Sequence, residues 1–171
     1  MTSDQDDSLI RAYVKAATEY CENQVSGSRS FQTQSWDWFL YRFPGDSFEF
    51  PRPPLQSVAH VKYYESAAST GLTTLSSTAY LIHTPSSLPG VIEVHPDKAA
   101  WPTVVDGRAD AIQIRFTAGY TETPEQIKHA IKLLIGHYYE QRTTVLTGSI
   151  SKEVEHGTRA LLGSVGYGFY R

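Results

Sequence analysis

Besides its carboxylates, the residues of this chain best suited to hold a metal ion or move a proton are six histidines and a single cysteine. His60, His83, His95, His129, His137 and His156 form no His-Glu-x-x-His pair, and none falls among carboxylates at metal-ligand spacing. His129 and His137 share one helical segment but stand too far apart to grip one ion as a local pair. Both read as solvated side chains on or beside its polar face. Cys21 falls on an apolar helix face, where a thiol is buried and inert. A nucleophilic serine would need a Gly-x-Ser-x-Gly elbow, which the sequence lacks. Gly148-Ser-Ile-Ser-Lys152 lacks the spacing of a phosphate loop. Asp106 and Asp110 flank a Gly-Arg turn with no base beside them and read as turn carboxylates. The residues therefore predict no catalytic, cofactor or metal site.

Binding chemistry is the next possibility. Trp36, Trp38, Phe39, Tyr41 and Arg42 lie on or beside one predicted strand, and Lys62, Tyr63 and Tyr64 on another. Aromatic and basic side chains interleaved on a small sheet can stack bases, so a sheet-based binder of single-stranded nucleic acid is the alternative reading. However, Trp36, Trp38 and Leu40 share one strand face while Phe39 and Tyr41 share the other. Two apolar faces predict a strand packed on both sides, in a core or an interface.

Composition narrows the classes further. The chain has 171 residues, 40% apolar and 19% charged, which is enough to bury a core as one domain. Its net charge of −3 argues against a broad basic surface for gripping nucleic acid. One cysteine excludes a disulfide framework within the chain. No apolar run approaches the ~20 residues that cross a bilayer, and the acidic start Met-Thr-Ser-Asp-Gln-Asp-Asp reads as no secretory signal. The expectation is a compact, soluble protein of a reducing compartment.

The elements that position these residues follow from periodicity. Leu9, Ile10, Tyr13, Val14, Ala17, Tyr20, Cys21 and Val25 recur at steps of three and four, predicting a helix over 8–26. From 31 to 117 the pattern becomes short β-branched and aromatic runs between Pro, Gly and Ser clusters. Predicted strands are 32–41, 57–64, 79–83, 90–94 and 111–117. The last alternates best, with Ile112, Ile114 and Phe116 on one face. Thr123, Pro124 and Gln126 form a cap, first-turn proline and capping box for a second helix over 123–142. Its wide apolar arc, from Ile127 to Tyr139, should meet two neighbours. Gly136 sits opposite that arc, either to admit a close neighbour or simply as an exposed glycine. Residues 143–171 read as loop and tail, with a helical turn over 158–165 around Leu161 and Leu162. The last residues carry three glycines and the aromatics Tyr167, Phe169 and Tyr170 before Arg171, a composition suited to ordering against a partner. The fold class is α+β: a small helical bundle with a β-rich insertion between its helices and an extended C-terminal tail. Composition, periodicity and spacing give no function by themselves.

Three segments add one. Pro51-Arg-Pro-Pro-Leu-Gln-Ser-Val58 leading into Val61-Lys-Tyr-Tyr64, then Ala111-Ile-Gln-Ile-Arg-Phe-Thr-Ala-Gly-Tyr120, then Pro124–Arg142, resemble in order and spacing the head–tail connector (adaptor) proteins of tailed bacteriophages, prophages and gene transfer agents. The resemblance spans about Leu9 to Arg171. It implies a non-catalytic virion protein of the neck, made in the host cytoplasm. It implies a homo-oligomeric ring, typically dodecameric, docked on the portal protein, with a downstream neck or tail protein on its other face. Double-stranded DNA would pass through the channel without specific binding, and no cofactor or membrane is involved. The partner-interface candidates are Leu161, Leu162, Tyr167, Phe169, Tyr170, Arg171 and Gly136. The chain departs from the family pattern at Glu155-His156-Gly157, where a proline often precedes the glycine, and in the drawn-out end 163–171.

Overall fold

A computed structural model describes residues 4–24, 28–85, 89–140 and 152–165. The chain divides into two compact units: a helical one, Met1–Phe31 with Glu122–Arg171, and a strand-rich one, Gln32–Thr121.

The helical unit contains α1 (Asp4–Gln24), α2 (Glu125–Glu140) and α3 (Lys152–Val165). The predicted stripe of α1 turns Ala17 and Cys21 fully inward, and Tyr13 meets Tyr138 of α2 at 5.9 Å between ring centroids. Burial pushes the Cys21 thiol up to about 12, so it stays a protonated, unreactive core group. On α2, Ile127, Ala130, Leu134, His137 and Tyr138 are buried. Burying a side chain such as Leu134 contributes about 1.5–3 kcal/mol. The helix starts one residue later than a Thr123 cap would place it. The Pro124 carbonyl accepts from the amides of Ile127 (3.0 Å) and Lys128 (3.2 Å). The Thr123 hydroxyl donates instead to the Phe31 carbonyl at 2.8 Å, which closes the unit where its two chain segments meet.

Two expectations for this unit change. Residues 152–165 are not loop and short turn but a full 14-residue helix. Val154, Thr158, Leu161, Leu162 and Val165 have helical spacing, yet polar Thr158 and the glycines at 157 and 163 obscure it. Gly157 is useful there: an added Cβ would stand 3.4 Å from Leu133 of α2, already in contact. His137 is not solvated. It is 7% exposed, one step along the buried stripe from Leu134. Arg29, buried at 1% exposure, donates through Nη1 to the Val165 carbonyl at 2.6 Å. A cation there meets the negative end of the α3 dipole and satisfies an end carbonyl.

The strand-rich unit stacks two antiparallel sheets. With β1 (Gln34–Leu40), β2 (Ser47–Glu49), β3 (Leu55–Tyr63), β4 (Thr73–Thr74), β5 (Tyr80–His83), β6 (Val91–Val94) and β7 (Ile112–Ala118), the orders are β1-β7-β3-β4 and β2-β6-β5. The alternation read in β7 is the centre of the core. Ile112, Ile114, Phe116 and Ala118 are buried in one cluster with Val61 of the same sheet and with Phe48, Phe50, Tyr80 and Ile92. The short β2 and β4, three and two residues long, are too brief to show a period and were not foreseen.

β1 is not packed on both faces within the chain. Trp36, Trp38 and Leu40 pack against the core, whereas Phe39 is 52% and Tyr41 57% exposed. Both lie on the sheet face turned away from the second sheet, where alternation puts them opposite Trp36, Trp38 and Leu40; β1 is also an edge strand, and only β7 pairs with it. Trp38 meets Phe48 at 5.8 Å and Phe50 at 5.9 Å, and the Arg52 guanidinium lies 4.7 Å from the Trp36 ring centroid.

Candidate functional site

The described residues hold no group of three or more His, Cys, Asp or Glu placed to bind a metal, and no helix among them is long and apolar enough to cross a membrane. Asp110 is bound to Arg108 through two contacts, at 2.6 and 3.0 Å, and that guanidinium holds its carboxyl below the usual range. Arg108 also stacks on Tyr64 at 3.7 Å. Asp110 is therefore an anchor for a turn and not one half of an acid pair.

Along the α2–α3 pair run two open grooves. One, about 340 Å³, is lined by Glu125, Gln126, His129, Lys132 and Leu161. The other, about 240 Å³, is lined by Lys132, Leu133, Gly136, His137, Glu140 and Val154. Lys132 belongs to both. Two of the predicted interface residues, Gly136 and Leu161, thus come to one side of the same helix pair. A Cβ at Gly136 would meet nothing within 4 Å, so the glycine leaves open space. Leu162 is 4% exposed and packs inside the unit. Tyr167, Phe169, Tyr170 and Arg171 lie outside the described residues.

The outer face of the four-stranded sheet carries the second candidate surface. Register places Asp37 beside Arg115 and Phe39 beside Gln113, with His60 and Lys62 on β3 beyond them. Arg115 grips Asp37 through two contacts, at 2.8 and 2.6 Å, and Gln113 adds a third at 3.2 Å. The Arg115 hydrogen bonds hold the Asp37 carboxyl below its ordinary value of 3.8. Burial, with Lys62 and Arg115 nearby, pushes His60 down, which favours its neutral form. The Asp37 contribution to stability is thus present above 3.8 and lost as pH falls through the lower folded value. Asp37→Asn is expected to lower the urea midpoint modestly at neutral pH. The two proteins should converge in strong acid; an undiminished gap there would contradict this account.

Sequence reasoning missed the exposure of Phe39 and Tyr41, and with it this face. Alternation did separate them from Trp36 and Trp38. What it could not show was that, among the described residues, no packed layer hides that face. The two tryptophans pack against Phe48, Phe50 and Arg52 and so offer no stacking platform for bases. Further apolar side chains stand out at Ile10, Val14, Leu133 and Tyr139.

A family model for head completion proteins matches residues 1–153. Among solved structures, a chain in the neck of a native gene transfer agent particle computed with C12 symmetry superposes with a TM-score of 0.74 at 20% identity, over 95% of this chain and 84% of that one. A chain in the neck of an empty particle computed with C6 symmetry gives 0.71 at 20% identity, over 100% and 84%. One in the virion of the native particle gives 0.73 at 20% identity, over 100% and 82%. No curated protein matches. At this identity the structural likeness establishes a shared fold.

Proposed function

The chain belongs to the head completion protein family, structural and non-enzymatic proteins of the virion, and we propose that it forms an oligomeric adaptor ring at the neck, joining the portal vertex of the capsid to the tail. The observation that carries this reading is the distribution of apolar surface. Exposed aromatic and aliphatic side chains occur on both units, at Ile10, Val14, Phe39, Tyr41, Leu133 and Tyr139, while the described grooves are open and hold no converging catalytic groups. Such surface suits repeated protein contacts better than a small ligand. A closed ring needs one patch meeting a different patch on the next copy. The chains of similar fold sit in necks computed with twelvefold and sixfold symmetry, which supports a ring of this kind, with twelve copies as the proposed number. Repetition around the ring would turn weak contacts into firm attachment. A net charge of −3 suits a channel through which DNA slides.

The test is assembly. The free protein is expected to sediment as a monomer and to form rings, visible in negative stain, when mixed with purified portal rings. A mixture that shows no association at micromolar concentration would remove the adaptor reading.

A further inference from the structure

The ladders show which backbone groups are spent. The Tyr64 amide bonds to the Ala111 carbonyl at 2.9 Å. In an antiparallel pair such exchange recurs at every second residue, so 111, 113 and 115 face β3. Residues 112, 114, 116 and 118 then face β1 and bond Gln34, Trp36, Trp38 and Leu40. Ser35, Asp37 and Phe39 therefore aim both amide and carbonyl away from the sheet. Among the described residues, no other backbone group meets them.

The same reasoning applies to the second sheet. Phe50 bonds Gly90, and Val94 bonds Asp46, so even-numbered residues of β6 face β2. The odd ones face β5 and bond Leu81 and His83, and His95 bonds Ala79 in the same phase. Tyr80 and Ile82 are left pointing outward, again with no backbone partner among the described residues.

An open edge invites strand addition unless it is guarded by lysine, proline, a bulge or brevity. β3 is interior, paired to β4 at Lys62 and Tyr63, and the part beyond β4 is guarded by the prolines 53 and 54 that lead in and by two register shifts. β2 and β4 are brief. β1 has seven residues, no lysine, no proline and no bulge, and its one charge, Asp37, is held by Arg115. β5 is short, at four residues, but longer than β2 and β4, and it carries no lysine or proline. Trp38 places β1 beside β2, while the stretch leading into β5 is bound to β3 through the Leu75 amide and the Val61 carbonyl. The two unguarded edges therefore lie at opposite ends of the sandwich. A head-to-tail ring needs two different, complementary patches so placed.

We propose that β1 of one copy pairs with β5 of the next, so that the sheets of neighbouring subunits join edge to edge around the ring. This rests on the adaptor-ring reading above. The pairing uses the outward groups of Ser35, Asp37 and Phe39 against those of Tyr80 and Ile82. It also covers the half-buried Trp36, Trp38 and Leu40 along the open margin of the core.

Cysteine cross-linking in assembled protein–portal particles tests it. Phe39→Cys and His83→Cys both replace exposed side chains, the latter giving up a contact with Glu93, and the native Cys21 is fully buried. With a short bismaleimide, the double variant is expected to give a ladder of covalent multimers, and each single variant none. Phe39→Pro removes an outward amide while sparing the β7 ladder. It should weaken assembly by more than about tenfold, since the loss repeats at every interface, whereas Phe39→Ser should weaken it less. Rings that form normally but yield no ladder overturn the β1–β5 pairing and leave the ring itself standing. Cross-linking of Phe39→Cys alone would show β1 meeting β1 and also overturns it. No rings with portal removes the adaptor reading and this inference with it.

Discussion

Gly119→Ala is expected to destabilise the strand-rich unit by about 3 kcal/mol or more. Two effects add. Gly119 has φ of +114°, a conformation that an L side chain adopts only under strain. An added Cβ would also collide with the Gln32 carbonyl, which is backbone and has no rotamer to yield. The position matters because Gly119 closes the end of β7. Its amide donates to the Pro54 carbonyl at 2.8 Å, and its own carbonyl accepts from Gln56 Nε2 at 2.8 Å. Gly107→Ala is the control. Gly107 also has positive φ, +75°, but open space around it, so only the conformational cost of about 1 kcal/mol applies. All three tryptophans, Trp36, Trp38 and Trp101, belong to the strand-rich unit, so their fluorescence reads its unfolding selectively. Equal urea midpoints for the two variants would show that the collision is relieved and that the backbone at Gln32 gives way.

Deleting residues 166–171 is expected to abolish docking on the portal while leaving fluorescence and helical circular dichroism unchanged. The deleted stretch, Gly-Tyr-Gly-Phe-Tyr-Arg, combines flexible glycines with large aromatic contact area. The described core of the helical unit is built from α1, α2 and α3. α3 ends at Val165, where Arg29 meets its last carbonyl, and Leu162 is already buried. Because a ring multiplies each contact, losing one anchor from every copy should cost binding far beyond the loss in a single subunit. Normal tailed particles assembled from the truncated protein would refute the role assigned to the tail.

The two predictions differ in how far they could be read from residues alone. The tail reading rests on residue type alone, glycines with aromatics and no periodicity, and it lies outside the described residues. The role of Gly119 was not. Its neighbour Gln32 is distant in sequence and is brought close only by the pairing of β1 with β7. Arg29 shows the same limit. Nothing around it in the sequence marks it as the cap of a helix that begins more than a hundred residues later. α3 itself was under-read because Thr158 interrupts its apolar stripe, yet Thr158 is fully buried.

The amino-acid order alone determined the class of fold, the two helices read over 8–26 and 123–142 and found at Asp4–Gln24 and Glu125–Glu140, and the β7 strand with its alternating core face. These depend on local period and composition, which neighbouring residues carry between them. The tertiary structure decided that β1 is an edge, that Phe39 and Tyr41 stay exposed, that His137 and Leu162 turn inward, and that Gly136 and Leu161 share one side of the α2–α3 pair. Those outcomes depend on which distant element covers a face. A residue's own type and spacing say what it can bury, while only the assembled sheet and bundle leave some of that surface without a partner.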